Sequence, residues 1–263
     1  MSPPPSSEFL GVELIGAVAV LEMRRPPLNF FDSELIGRIV DTLRALDEMP
    51  QCGAVVLAAA GKTFCAGADF GGDKPAEDGA EFVSFAGTLY QRAIGIFETR
   101  KPIVAAVHGA AIGGGLGLAL AADFRVTCES ARFSANFARL GIHCGFGISV
   151  TLPRLVGINQ AATLLYTGRR ISGAQALQIG LADQLVPADQ VRSAAIAFAA
   201  EMAACAPLAV ADMRQTLRRG LADQVREVLQ RELACQNVHM RSADFREGVR
   251  ATAERREPRF TGQ

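Results

Sequence analysis

The chain has 263 residues, 49% of them hydrophobic and 21% charged, with Lys+Arg and Asp+Glu both at 27. This describes one large globular domain, or a domain with an appendage, with enough apolar material for a sizeable core. The balanced charge argues against a polyanion partner such as nucleic acid. The cysteines Cys52, Cys65, Cys128, Cys144, Cys205 and Cys235 form no CxxC pair and stand beside no His cluster, which argues against zinc.

Residues 1–8 are Pro- and Ser-rich at their start and read as a flexible tail without a secretory pattern. No apolar run is long and clean enough to span a membrane, so no membrane partner is expected and the cytoplasm is the default location. Val12–Met23 reads as two strands joined at Gly16. Arg24–Phe31 is a proline-broken loop, after which Asp32 or Ser33 can cap a helix bearing Leu35, Ile36, Ile39, Leu43 and Leu46 on one face. Cys52–Ala60 is a buried strand, and Gly61–Gly79 a Gly-, Asp- and Lys-rich segment. Glu81–Thr99 has helical spacing, and Pro102–Val107 is the next strand.

Gly113–Ala122 can open a helix with its N-terminus toward a ligand. Short strands follow at Asp123–Cys128 and Ala131–Ser134, then a loop over Phe137–Gly147. A helix is expected from about Ser149, with Pro153 near its first turn. From about residue 160 the pattern reads as helical throughout. Strand and helix alternating, followed by helices, predicts an α/β core with a helical C-terminal region and an oligomer built on its apolar positions.

Two stretches stand out, Gly61–Asp69 (GKTFCAGAD) and Gly109–Ala119 (GAAIGGGLGLA), each following a predicted buried strand. Small residues with free backbone N–H groups at such strand ends can build a hole for a developing oxyanion. Ala68 and Gly114 are the predicted donors. A dinucleotide fingerprint fails because the sixth place counted from Gly113 is Leu118. There is no GxxxxGK[ST] loop and no GxSxG elbow.

Together the two stretches resemble the crotonase (enoyl-CoA hydratase/isomerase) superfamily. The resemblance runs through Phe64–Phe70, Lys101–Gly109 and Ala111–Gly115, then Leu152–Gly157, Thr167–Ile171, Ala174–Ala182 and Asp244–Phe260. It implies a crotonase-like spiral of ββα units over residues 9–195. It also implies a helical trimerisation region over 196–263, assembly as a homotrimer or dimer of trimers, and an acyl-CoA thioester substrate. Coenzyme A would be part of that substrate, with no separate cofactor and no metal. Ala68 and Gly114 would hold the thioester oxygen. Leu28, Ala66, Asp69, Phe70, Gly113 and Phe137 would lie along the CoA and acyl groups. Asp69 has a second reading as a turn residue bonded to its own loop. Lys62, Arg24 and Arg25 are loop cations that could meet CoA phosphates.

The departures bear on the reaction. A hydratase resembling this family uses two glutamates, and isomerases use a third acid site. Those positions here are Gly117, Phe137 and Gly145. Neither Gly nor Phe relays a proton. His143 is the proton carrier the neighbouring loop offers, or else a loop histidine facing solvent or a subunit neighbour. Cys144 is a weaker nucleophile reading. His108 reads as a structural hydrogen bonder, and Asp73, Glu77, Asp78 and Glu81 as solvated acids that could swing inward. Phe82, Phe85, Phe137 and Phe146 could line an apolar acyl pocket. Hydratase- or isomerase-like chemistry ranks first. Decarboxylation, thioester hydrolysis and a non-catalytic acyl-CoA-binding subunit are the alternatives.

Overall fold

The structure is a computed structural model that describes residues 3–68 and 79–263. Asp69, Phe70, Asp73, Glu77 and Asp78, and the side chains of Glu81, Phe82 and Phe85, lie outside the described residues. The chain opens with the hairpin β1 (Leu10–Ile15) and β2 (Val18–Met23), turned at Gly16. Helix α1 (Ser33–Asp47) starts at Asp32, whose carboxylate accepts the Leu35 amide at 2.8 Å. Its apolar stripe, Leu35, Ile36, Ile39, Leu43 and Leu46, is buried, as the 3.6-residue spacing requires.

Next come β3 (Ala54–Ala59), α2 (Gly79–Glu98), β4 (Ile103–Val107), β5 (Ala110–Ile112) and α3 (Gly114–Ala121). Strands β6 (Phe124–Thr127) and β7 (Arg132–Ser134) lead through a 3-10 turn at Asn136–Leu140 into α4 (Ile148–Thr167). The remainder is β8 (Arg170–Ser172), α5 (Gly173–Gln178), β9 (Gln184–Leu185), α6 (Val191–Ala203), α7 (Pro207–Leu217), α8 (Leu221–His239) and α9 (Ala243–Ala253).

One six-stranded sheet has the order β1-β2-β3-β4-β6-β9, parallel from β2 onward, and a second sheet has the order β5-β7-β8. Strands β3 and β4 are buried along their whole length, as continuous apolar runs in a parallel sheet must be. Helix α6 packs on β2, β3, β4 and β6, and α2 packs between α1 and α8.

Three local expectations are corrected. The chain does not turn all-helical at residue 160, because β8 and β9 follow it. These strands of three and two residues owe their conformation to partners in β7 and β6 rather than to a local pattern. The expected loop at Phe137–Gly147 begins inside the 3-10 turn. Pro153 falls in the second turn of α4, and that helix breaks at Gly157 (φ 75°, ψ 161°).

Candidate active site

The segment after β3 and the strand β5 are tied by a parallel bridge between Cys65 and Ala111. The Cys65 amide donates to the Ala110 carbonyl at 2.9 Å, and the Ile112 amide donates to the Cys65 carbonyl at 3.0 Å. The backbones approach so closely that a methyl group on Gly115 would overlap the Cys65 carbonyl, so the position requires glycine. The bridge brings Ala68 to the N-terminus of α3. A β-carbon on Gly114 would lie 3.6 Å from the Ala68 nitrogen, and one on Gly67 would lie 3.6 Å from the Gly114 nitrogen. Both residues are half-buried, and among the described residues neither amide donates to a backbone carbonyl. Two such donors, at the positive end of a helix, have the chemistry of an oxyanion hole. Gly113, the residue before α3, spends its amide on the Ser134 carbonyl at 2.9 Å.

The proline-broken loop braces this arrangement. The Ala66 amide donates to the Leu28 carbonyl at 2.9 Å, and the Phe31 amide donates to the Gly67 carbonyl at 3.0 Å. Asn29 is fully buried and donates its side-chain amide to the carbonyls of both Ala60 and Thr63 at 2.7 Å. Its left-handed backbone (φ 49°) is one that Asn tolerates. Asn29 was invisible in sequence, since an Asn beside prolines reads as an ordinary turn residue. Leu28 stands 43% exposed, paired through its carbonyl with Ala66. Arg24 is paired with Glu22 at 2.8 Å, and Arg25 with Asp32 at 2.6 Å. His108 has its Nε2 at 3.0 Å from the Gly61 carbonyl, matching its structural reading.

Two of the three acid positions are physically filled. A β-carbon on Gly117 would lie 2.7 Å from the Phe146 β-carbon. Phe146 packs with its ring centroid 5.3 Å from that of Phe31 and edge-on to Tyr90 at 6.5 Å. Phe31 in turn covers Gly114, where a methyl would lie 2.8 Å from its Cζ. At Gly145 a methyl would overlap the Tyr90 hydroxyl and lie 2.6 Å from Gln236 Nε2. The third position holds Phe137, half-buried, with its ring 3.8 Å from where a β-carbon on Gly113 would be.

Phe137 also opens onto a groove of about 860 Å³ that includes Ile142, His143, Cys144, Tyr166 and Phe260 in its walls. His143 Nδ1 lies 2.8 Å from the Cys144 carbonyl, and its ring is 6.3 Å from that of His239. Ala68 and Gly114 do not line this groove, so it does not bring His143 together with the amide pair; Phe137, which lines it, approaches Gly113. Cys144 is a poor nucleophile here, because burial and then the Glu232 carboxylate push its thiol well above the ordinary range. Glu232, on α8, was missed by the sequence reading: a single Glu in a helical run signals only a solvated face. Among the described residues no group of three His, Cys, Asp or Glu side chains gathers to hold a metal.

Comparison with known proteins agrees with this fold. A model of the family described as enoyl-CoA hydratase/isomerase matches residues 13–263. The crotonyl-CoA hydratase of Syntrophomonas wolfei is 32% identical over 248 residues, covering 92% of this chain and 94% of that one. The short-chain-enoyl-CoA hydratase of Clostridium acetobutylicum is 31% identical over 249 residues, covering 93% and 94%. The crystal structure of an enoyl-CoA hydratase/isomerase from Pseudoalteromonas atlantica superimposes with a TM-score of 0.84 at 31% identity, over 96% of this chain and all (100%) of that one. The class this architecture defines is the crotonase fold. The chain belongs to the enoyl-CoA hydratase/isomerase family within it.

Proposed function

We propose that the protein binds an acyl-CoA thioester with its carbonyl oxygen between the amides of Ala68 and Gly114 and stabilises the enolate that forms there. The observation that carries this reading is the pair itself, two neighbouring amides without a backbone acceptor among the described residues. Losing one such donor typically raises a barrier by about 2.7–4 kcal/mol. Leu28 and Ala66, with Asp69 and Phe70 beyond them in sequence, form the proposed path for CoA. Gly113 and Phe137 border the acyl end.

Hydratase- or isomerase-like chemistry at this hole is the first reading, in keeping with the family. It runs here without the glutamate pair. His143 is the proposed proton carrier: with Nδ1–H donating to the Cys144 carbonyl, Nε2 is the basic nitrogen. A specific observation favours a second reading. Phe146 occupies the space beside Gly117 where an acid could have positioned water. Decarboxylation needs no such water: the bond from Cα to a carboxylate breaks, CO₂ leaves, and the electron pair stays on the enolate until Cα takes a proton. Six free cysteines fit a reducing compartment such as the cytoplasm. The exposed Ile158, Tyr166 and Val238 fit subunit contacts of a trimer or a dimer of trimers.

Turnover of enoyl-, dienoyl- and malonyl-type CoA thioesters is the decisive assay, with Ala68→Pro as the variant that deletes one donor. Turnover of one class, reduced about 10²–10³-fold in a folded Ala68→Pro protein, is expected. Tight binding with no turnover of any class leaves only the acyl-CoA-binding role. His143→Ala at wild-type rate removes His143 from the mechanism.

A further inference from the structure

Phe146 is held against the first turns of α3 by an unusual set of bonds. Its backbone is left-handed (φ 61°), which bulky L residues seldom adopt. The residue is 1% exposed, its ring tilted at 53° to that of Phe31, which itself covers Gly114. The segment on either side of it is tied to one helix, α8. Glu232 has no exposed surface and accepts four hydrogen bonds: the Gly147 amide at 2.9 Å, the Ser149 amide at 3.2 Å, the Ser149 hydroxyl at 2.6 Å and the Cys144 thiol at 3.8 Å. One turn further on, Gln236 donates Nε2 to the His143 carbonyl at 3.0 Å and accepts the Tyr90 hydroxyl at 3.0 Å.

Gly147 sits at the cap position of α4 with a left-handed backbone (φ 71°), and a β-carbon there would lie 2.9 Å from Val225, so no local side chain caps this helix. Instead a distant helix supplies a buried carboxylate, whose charged form is disfavoured by that burial. Bonds on both sides of Phe146, from His143 to Ser149, fix where its ring points.

We propose that Phe146 is the specificity-determining wall of the acyl site, admitting acyl groups that are slim next to the thioester, and that Glu232 and Gln236 are positioning residues acting through it. This rests on the acyl-CoA reading of the Ala68–Gly114 pair. The Phe146 ring lies over Gly117, and Phe31, which it packs against, lies over Gly114, so bulk at Cα or Cβ is expected to press on an aromatic pair held from behind by the bonds to α8.

The test is calorimetric binding of acetyl-CoA and of benzoyl-CoA to the full chain. Phe146→Gly is the main variant, because glycine is at ease at this φ and the protein can keep its fold. The ratio of benzoyl-CoA to acetyl-CoA affinity is expected to rise by roughly tenfold or more in Phe146→Gly. Glu232→Ala is expected to raise the same ratio, Glu232→Gln to raise it less, since its amide oxygen can still accept the Gly147 N–H. The double variant Phe146→Gly/Glu232→Ala is expected to match Phe146→Gly alone. A folded Phe146→Gly protein that binds acetyl-CoA with an unchanged ratio overturns the wall. Glu232→Ala lowering the melting temperature without moving the ratio overturns the positioning role. A wild-type protein that binds neither thioester overturns the acyl-CoA reading itself, and this proposal with it.

Discussion

The α-carbon of Gly115 faces the carbonyl of Cys65 across the bridge that joins the two site loops, with no room for a methyl group between them. The obstacle is backbone on both sides, so it cannot swing away as a side chain could. Gly115→Ala is therefore expected to cost about 1–3 kcal/mol or more in urea unfolding, the usual range for overpacking. It should also weaken acyl-CoA binding more than the same loss of stability made elsewhere, because the bridge sets the spacing of the two amides.

Restoring the acids alone is not expected to restore hydration. In Gly117→Glu/Phe137→Glu the new side chain at 117 would start 2.7 Å from the Phe146 β-carbon. We expect no crotonyl-CoA hydration above background from that double variant. Hydration measured by loss of enoyl absorbance is expected only when Phe146→Gly is added.

Asp123 fastens α7 to the sheet. Its carboxylate accepts the Ile103 amide, Arg214 Nε and Arg218 Nη1, each at 2.8 Å, and all three side chains are largely buried. Asp123→Ala leaves two guanidinium groups without their counter-charge, at an expected cost of about 3–5 kcal/mol. Hydrogen exchange should show α7 losing protection first.

Asp32 supplies the pH-dependent case. Burial pushes its carboxyl up, but the Leu35 amide and the Arg25 guanidinium outweigh this and hold it below the ordinary 3.8. A depressed carboxyl contributes stability above its unfolded pKa and loses it as pH falls through the folded value. Asp32→Ala should thus cost about 1 kcal/mol at neutral pH. The gap between variant and wild type should narrow as the pH is taken below that of a free aspartate, as followed by urea midpoints.

Much of the fold was legible because local patterns carried it. Gly16 between two apolar runs gave the hairpin, Asp32 before a 3.6-residue stripe gave α1, and Ala54–Ala59 was too apolar for anything but a buried strand. The strands β5, β8 and β9 escaped because two or three residues carry no period of their own and are strands only by pairing. The candidate donors Ala68 and Gly114 could be named from motif order. What surrounds them could not: Phe146 meets Gly117 across 29 positions, and Glu232 reaches Ser149 across 83. Such contacts depend on how α8 comes to rest on the core, and no spacing along the chain encodes it.

The Cys65–Ala111 bridge has one more consequence. Because the two candidate donors are main-chain groups placed by strand pairing, most side-chain changes nearby leave them in position. Acids at 117, 137 and 145 can be lost, and aromatic bulk gained, without dismantling the place where negative charge would be received. A frame of this kind separates the place that would receive charge from the side chains that would choose the reaction, so the second can vary while the backbone that sets the first stays put.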